Sequence, residues 1–167
     1  MKKLVIISLG VLLLSLQSCW WYSFTGASID PEINTFSVSY FPNNAPLVQP
    51  TLSQSFTDAL KEKLTSQTDL ILVKSGGDLR FSGEITGYST RPIAIQGNET
   101  AAMNRLSVTI KVQFENTFDD KQSFETNFTR YQDYESSLSL SAVEGTLIDE
   151  INEQLVEDVF NKAVVNW

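Results

Sequence analysis

Few residues in this chain of 167 could carry out chemistry. The sequence contains no histidine and a single cysteine, Cys19. A histidine base or metal ligand, a Ser-His-Asp or Cys-His arrangement and an internal disulfide are therefore excluded within this chain. Neighbouring carboxylates remain, in a predicted turn and on the water-facing side of a predicted helix, at Asp119-Asp120, Asp149-Glu150 and Glu157-Asp158. Solvated charge explains these pairs best, so the sequence predicts no enzyme, no metal site and no cofactor.

Arginine is the other residue type with a specific chemistry here, because its planar guanidinium forms forked contacts with carboxylate or phosphate. Arg80, Arg91 and Arg105 stand in or beside one predicted strand-loop-strand unit, and Arg130 follows in the next strand. Two interpretations stay open, an anion site or structural ion pairs with the excess carboxylates, and the second is favoured. The net charge of -8 argues against general nucleic-acid binding, which depends on clustered basic residues.

The surroundings of Cys19 indicate export. Met1-Lys2-Lys3 is a short basic region, and the apolar run from Leu4 to Leu16 is shorter than the roughly 20 residues of a membrane-spanning helix. The segment Leu16-Gln17-Ser18-Cys19 resembles a bacterial lipobox, in which the cysteine becomes the lipidated first residue. The alternative is an ordinary signal peptide that leaves Cys19 as a free thiol. We predict a signal peptide over residues 1–18 and lipid attachment at Cys19.

The predicted domain organisation follows from this anchor. Residues 19–32 are predicted to form a lipidated linker, and residues 33–167 a single folded domain. Several acyl chains on one cysteine would hold that domain at a membrane surface. By resemblance to lipoprotein sorting rules, the lack of an aspartate directly after Cys19 indicates the outer membrane, and the lack of an acidic cluster there indicates its periplasmic face.

Strand patterns account for most of the predicted domain. Apolar and polar residues alternate over residues 35–40, 79–88, 106–114 and 123–131, as in half-buried strands. A short apolar run at residues 70–73 predicts a further strand, and Ser75-Gly76-Gly77-Asp78 after it is typical of a hairpin turn. Gly83 and Gly87 inside their strand predict a bulge or a close backbone approach.

Two amphipathic helices complete the domain. The first is predicted from about residue 51 to 67 with Thr51 or Ser53 as its cap. The second is predicted from about residue 141 to 165, where Ser141 and Glu144 fit a capping box. The order β-α-β-β-β-β-α predicts an α+β fold, a mixed sheet of four to five strands with both helices packed on one face.

The segment from Thr90 to Met103 joins two predicted strands and carries apolar side chains among polar ones. A solvated loop does not need them, so they pack either on the domain's own sheet or on another molecule. Both readings stay open. The candidate partner contacts in this segment are Ile93, Ile95, Asn98 and Met103.

Several stretches together resemble the LptE family of outer-membrane lipopolysaccharide-assembly lipoproteins, in the form found in Bacteroidetes. Their order along nearly the whole mature chain carries the resemblance, and the stretches are residues 16–19, 22–28, 40–45, 98–106 and 148–161. The resemblance implies a non-enzymatic plug seated inside the β-barrel LptD, where it assists barrel assembly and lipopolysaccharide transport. It also implies Arg80, Arg91 and Arg105 as candidate lipopolysaccharide contacts.

A second class of function is a free-standing periplasmic lipoprotein that holds a small apolar ligand or another assembly subunit. The two classes differ in whether a large β-barrel stays bound to the purified protein.

Overall fold

A computed structural model describes residues 29–47, 49–93 and 102–165. The elements in chain order are β1 (Thr35–Val38), α1 (Leu52–Gln67), β2 (Ile71–Leu72), β3 (Leu79–Ile93), β4 (Met103–Asn116), β5 (Phe124–Glu135) and α2 (Leu140–Phe160). The five strands form one sheet in the order β2-β1-β3-β4-β5. Strand β1 is parallel to both of its neighbours, and β3, β4 and β5 form an antiparallel meander. The predicted α+β class and element order are confirmed.

The antiparallel strands are longer than the alternation predicts. Strand β3 continues to Ile93 and β4 begins at Met103, so both ends of the predicted 90–103 loop are paired strand. The predicted bulge is confirmed, because the β3–β4 register shifts between Ile85 and Gly87. Gly83 faces the Lys111 carbonyl so closely that a Cβ there would lie 2.0 Å from its oxygen. A bulge of this kind increases the local twist of the ribbon.

The two helices begin differently from the prediction. At α1 the Gln49 side chain accepts hydrogen bonds from the Thr51 and Leu52 amides, at 2.7 and 2.9 Å, whereas Thr51 makes no side-chain cap. Helix α2 begins at Leu140 without a side-chain cap, so the predicted Ser141–Glu144 capping box is wrong. The Glu144 carboxylate instead bonds the Tyr88 hydroxyl of β3. Glu144 therefore makes a tertiary contact with β3 and not the predicted local contact with the start of its own helix.

The core lies between the sheet and the two helices. Alternate residues of β3 and β4 are buried against apolar stripes of α1 and α2. The largest fully buried side chains of the core are Phe36, Phe41, Phe56, Phe81 and Phe114. Phe41 meets Phe56 edge to face with ring centroids 5.1 Å apart. Burying an aromatic side chain of this size contributes roughly 1.5–3 kcal/mol. This layer leaves the other face of the sheet open.

The predicted hairpin at residues 75–78 is wrong, and the chain makes a crossing there instead. Strands β2 and β3 lie on opposite sides of β1 and both run parallel to it, roughly 10 Å apart. Residues 73–78 cover that distance by passing over β1. A Cβ on Gly77 would lie 2.6 Å from the Phe36 carbonyl carbon and 2.7 Å from the Ser37 nitrogen. Only a residue without a side chain can cross so close to a strand backbone.

Hydrogen bonds to Asp78 attach the crossing segment to β1. One carboxylate oxygen, Oδ2, accepts hydrogen bonds from the Asn34 and Thr35 amides at 2.9 Å and from the Thr35 hydroxyl at 2.8 Å. These bonds, the Asn34 amide first, hold the pKa of Asp78 below its ordinary value. The Asp78 carbonyl also accepts from the Thr117 amide at 3.0 Å. The crossing therefore ties the start of β1 to the end of β4.

We predict that Gly77→Ala lowers the free energy of unfolding by about 1–3 kcal/mol or more, because the new methyl group overlaps the β1 backbone. Urea unfolding followed by circular dichroism measures the change. Gly145→Ala is the matched control, since a Cβ at that helical position meets nothing within 4 Å. That control is expected to gain about 0.5–1 kcal/mol. A Gly77→Ala protein as stable as the native chain would contradict the close crossing.

Candidate functional site

The open face of the sheet carries the candidate site residues. The register places polar side chains in cross-strand rows on this face, where Thr109 contacts Thr129 at 2.9 Å between hydroxyls and Lys111 contacts Glu125 at 2.6 Å. Alternation along β4 sends its apolar residues to the helices and these polar ones to the opposite side. The result is a hydroxyl- and amide-rich surface with ionic groups at both ends.

Arg105 organises one end of this surface. Its Nε and Nη2 donate to the two carboxylate oxygens of Asp133 at 2.7 and 2.8 Å, which is a forked pair. Its guanidinium carbon lies 3.5 Å from the centroid of the Tyr131 ring, a cation–π contact. The hydrogen bonds from Arg105 lower the pKa of Asp133 below its ordinary value. The carboxylate therefore stays ionised and neutralises Arg105 through the physiological pH range.

Arg91 lies opposite Arg105 in the β3–β4 register. Within residues 29–47, 49–93 and 102–165, Arg91 has no carboxylate oxygen within 4 Å of its side-chain nitrogens. Asp133 is paired with Arg105, so among the described residues Arg91 is the guanidinium without a carboxylate partner at this end of the face, where Glu135 lies opposite Met103. The two arginines line a cleft of about 430 Å³ together with Pro92, Ile93, Ser107 and Tyr131. A cleft with one unmatched guanidinium can accept an anionic group such as a phosphate.

Ile93 and Met103 form the next cross-strand pair on the same face, at the tip of the β3–β4 ribbon. Both side chains are half-buried. The Ser136 amide donates to the Ala102 carbonyl at 2.9 Å, which brings the β5–α2 connection and its exposed Leu138 to the same tip. Ile95 and Asn98, the other two candidate partner contacts, lie outside the described residues, as does Cys19.

The remaining arginines are separate from this cleft. Arg80 lies roughly 35 Å away along β3, where its Nη1 pairs with Glu115 at 3.3 Å and its Nε donates to the Gly77 carbonyl at 3.0 Å. Arg130 points to the helix side and makes a forked pair with Asp158 of α2 at 2.5 and 2.6 Å. The three candidate arginines thus form no single site, and only Arg91 and Arg105 come together.

Two of the three predicted carboxylate pairs contain side chains with structural contacts. The Asp119 side chain accepts a hydrogen bond from the Lys121 amide at 3.0 Å in the turn after β4. Glu157 pairs with Lys63 of α1, and Asp158 with Arg130 of β5, so the prediction that this pair is merely solvated is wrong. Among the described residues there is no group of three or more Asp, Glu, His or Cys side chains arranged to hold a metal ion.

The interaction that sequence reasoning missed at this end of the sheet is Tyr88 with Glu144. The Tyr88 hydroxyl donates to the Glu144 carboxylate from a largely buried position on the helix side. Burial, and next the bond to Glu144, raise the pKa of the Tyr88 phenol well above its ordinary value. The sequence does contain a signal for this interaction, because Tyr88 follows apolar residues on the buried face of β3 and its hydroxyl needs a hydrogen-bond partner. The pair joins the ribbon to the start of α2.

The family model LptE, described as Lipopolysaccharide-assembly, matches residues 33–163. No curated protein matches the sequence significantly.

Several solved structures align with this chain at low identity. A hypothetical protein from Chlamydia trachomatis is 9% identical with a TM-score of 0.55, and the match covers 80% of this chain and 99% of that one. A minor lipoprotein from Acinetobacter baumannii is 18% identical with a TM-score of 0.47, over 79% of this chain and 96% of that one. The rare lipoprotein B from Shewanella oneidensis is 11% identical with a TM-score of 0.47, over 77% and 90%. The first of these supports the fold alone.

No helix in the part of the chain that the structure describes has the length and apolar character needed to cross a membrane.

We predict that Arg105→Gln raises the pKa of Asp133 toward the ordinary value of about 3.9, because the forked hydrogen bonds that favour its ionised form are lost. Carboxyl-carbon NMR over pH 2–6 measures this titration. Since the native pKa is lowered, the pair's contribution to stability is present above the ordinary value and disappears as the pH falls through the lowered one. Arg130→Gln, which removes the equivalent forked pair on the helix side, should leave Asp133 unchanged. An unaltered Asp133 titration in Arg105→Gln would contradict the pairing.

Proposed function

The chain belongs to the LptE lipopolysaccharide-assembly family, and from that premise we propose that it is the lipid-anchored outer-membrane component that plugs an LptD-type β-barrel and assists its assembly. The family match over residues 33–163 carries this proposal. The anchor would be Cys19 after removal of residues 1–18, with residues 19–32 as the linker and residues 33–167 as the domain at the periplasmic face.

The open face of the sheet supports a place inside a barrel. Its cross-strand rows are hydroxyl, amide and paired ionic groups, such as Thr109 with Thr129 and Lys111 with Glu125. The interior of a membrane β-barrel is polar, so a mainly polar surface of this kind can lie there. We propose that the ribbon tip at Ile93 and Met103, with Ile95 and Asn98 of the connecting segment, contacts the barrel.

The alternative of a free-standing binder of a small apolar ligand receives less support. Large aromatic side chains are fully buried between the sheet and the helices. Three surface grooves of the described residues, of about 370, 440 and 430 Å³, are each lined partly by polar or charged side chains. An apolar ligand site needs a concave and mostly apolar lining.

The first experiment is an affinity purification of the full-length chain from outer membranes in mild detergent. We expect a large β-barrel in near-equal amount, identified by mass spectrometry, and a mature chain that begins with an acylated Cys19 by intact mass. Recovery of a partner-free monomer would overturn the proposal that the chain plugs a barrel. An unmodified Cys19 would overturn the proposal that this residue carries the lipid anchor.

The same purification tests whether the ribbon tip contacts the barrel. Ile93→Ser with Met103→Ser should reduce recovery of the barrel at least fivefold, because two apolar contacts are removed from the proposed interface. Ile71→Ser with Leu72→Ser is the matched control, since it removes two exposed apolar side chains from the distant strand β2. Equal recovery with both double variants would place the contact elsewhere.

We propose a lipopolysaccharide phosphate contact at the Arg91–Arg105 cleft, with Arg91 as the residue that supplies the unmatched charge. Arg91→Glu should weaken lipopolysaccharide binding by the purified domain about tenfold or more, because a phosphate would then face a carboxylate. Lys121→Glu makes the same change of charge in the exposed turn after β4 and should have little effect. Binding assays at fixed salt separate the two, and unchanged binding by Arg91→Glu would remove that residue from the proposal. Arg80, far from the cleft and paired with Glu115, is the weaker candidate.

A further inference from the structure

A groove runs between α1 and α2 on the side of the domain opposite to the open sheet face. It encloses about 440 Å³, and residues at helical spacing on both helices line it, Ser55, Ala59, Glu62, Lys63 and Ser66 from α1 and Asp149, Asn152, Glu153, Val156 and Glu157 from α2. The α1 side extends for about 16 Å at 1.5 Å per residue. Val156 and Asn152 are almost fully buried at its base, while the carboxylates stand at its rims.

The charge of this groove is strongly unbalanced. Four carboxylates line it against the single ammonium of Lys63, and that ammonium pairs with Glu157 and lies 5.4 Å from the Phe160 ring. Within residues 29–47, 49–93 and 102–165, Glu62, Asp149 and Glu153 have no Lys or Arg nitrogen within 4 Å. Asp149 and Glu153 are also neighbours at i and i+4 on α2, an arrangement that destabilises a helix. The groove thus retains unmatched negative charge at a cost to stability.

Asn152 provides an independent indication of what the groove binds. Only 3% of this residue is exposed, its Nδ2 donates to the Ser55 hydroxyl at 3.0 Å, and its Oδ1 has no partner among the described residues. The Ser55 hydroxyl also contacts the Leu52 carbonyl at 3.2 Å, as donor. In this hydrogen-bond arrangement the amide oxygen of Asn152 is the unmatched atom. A buried acceptor left without a donor costs free energy that a donor from a bound molecule would recover.

Both observations point to the same kind of molecule, a cation that carries N–H donors. We propose that the α1–α2 groove is a docking site for a Lys- or Arg-bearing segment of a partner protein. Its cationic side chains would pair with Asp149 and Glu153, and one N–H group would reach Asn152 Oδ1 after a small local adjustment. This site lies away from the Arg91–Arg105 cleft, and the inference does not depend on the lipopolysaccharide contact proposed there.

The test uses the purified full-length chain in detergent and a fluorescein-labelled twelve-residue peptide of alternating lysine and alanine. Fluorescence anisotropy measures its dissociation constant at 50 mM salt. Asp149→Asn with Glu153→Gln should weaken binding about tenfold. Glu84→Gln with Glu135→Gln removes the same charge from the open sheet face and should change binding by less than twofold. Equal weakening by the two double variants would overturn the proposal, because it would indicate general attraction to an acidic protein.

Thermal unfolding separates binding from folding. Asp149→Asn with Glu153→Gln should unfold at the same or a higher temperature, since it removes a repulsive pair. Asn152→Leu tests the buried acceptor by itself. This variant should weaken binding of the peptide severalfold while the domain remains folded. If Asn152→Leu binds the peptide as the native chain does, the role of Oδ1 is rejected. If the native chain does not bind the peptide at 50 mM salt, the docking site is rejected.

Discussion

The arrangement of the whole sheet depends on the passage of one segment across β1. Residues 73–78 carry the chain from one side of that strand to the other, and Gly77 lies so near the Phe36–Ser37 backbone that no side chain fits between them. The Asp78 carboxylate then holds the amides at the start of β1. Parallel strands usually need a connection of a dozen or more residues, so this short crossing has to be tightly clamped. It sets the starting point of β3 and with it the whole meander.

Beyond the crossing, the β3–β4–β5 ribbon extends far past the end of β1. Its helix side is filled by aromatic and aliphatic side chains, and forked or buried polar contacts such as Arg130 with Asp158 and Tyr88 with Glu144 attach it to α2. Its other side carries rows of hydroxyls, amides and paired ions. One sheet therefore presents an apolar face to its own helices and a polar face outward.

Two separate surfaces carry charged groups that lack a partner among the described residues. At the ribbon tip this group is Arg91, since Asp133 pairs with Arg105. The helix groove retains negative charge at Asp149 and Glu153. An anionic and a cationic ligand would therefore contact different surfaces of this domain.

The sequence by itself determined the fold class, because alternation along β4 and the apolar stripes of both helices are periodic within single elements. It also excluded histidine and multiple-cysteine chemistry by composition, and order along the chain indicated the family. Tertiary structure decided the rest. Arg105 meets Asp133 across 28 positions, Arg80 meets Glu115 across 35, and Asn152 meets Ser55 across 97. Local periodicity carries no information on such partners, so it could neither separate the paired arginines from Arg91 nor show that Ser75-Gly76-Gly77-Asp78 crosses a strand rather than forming a hairpin.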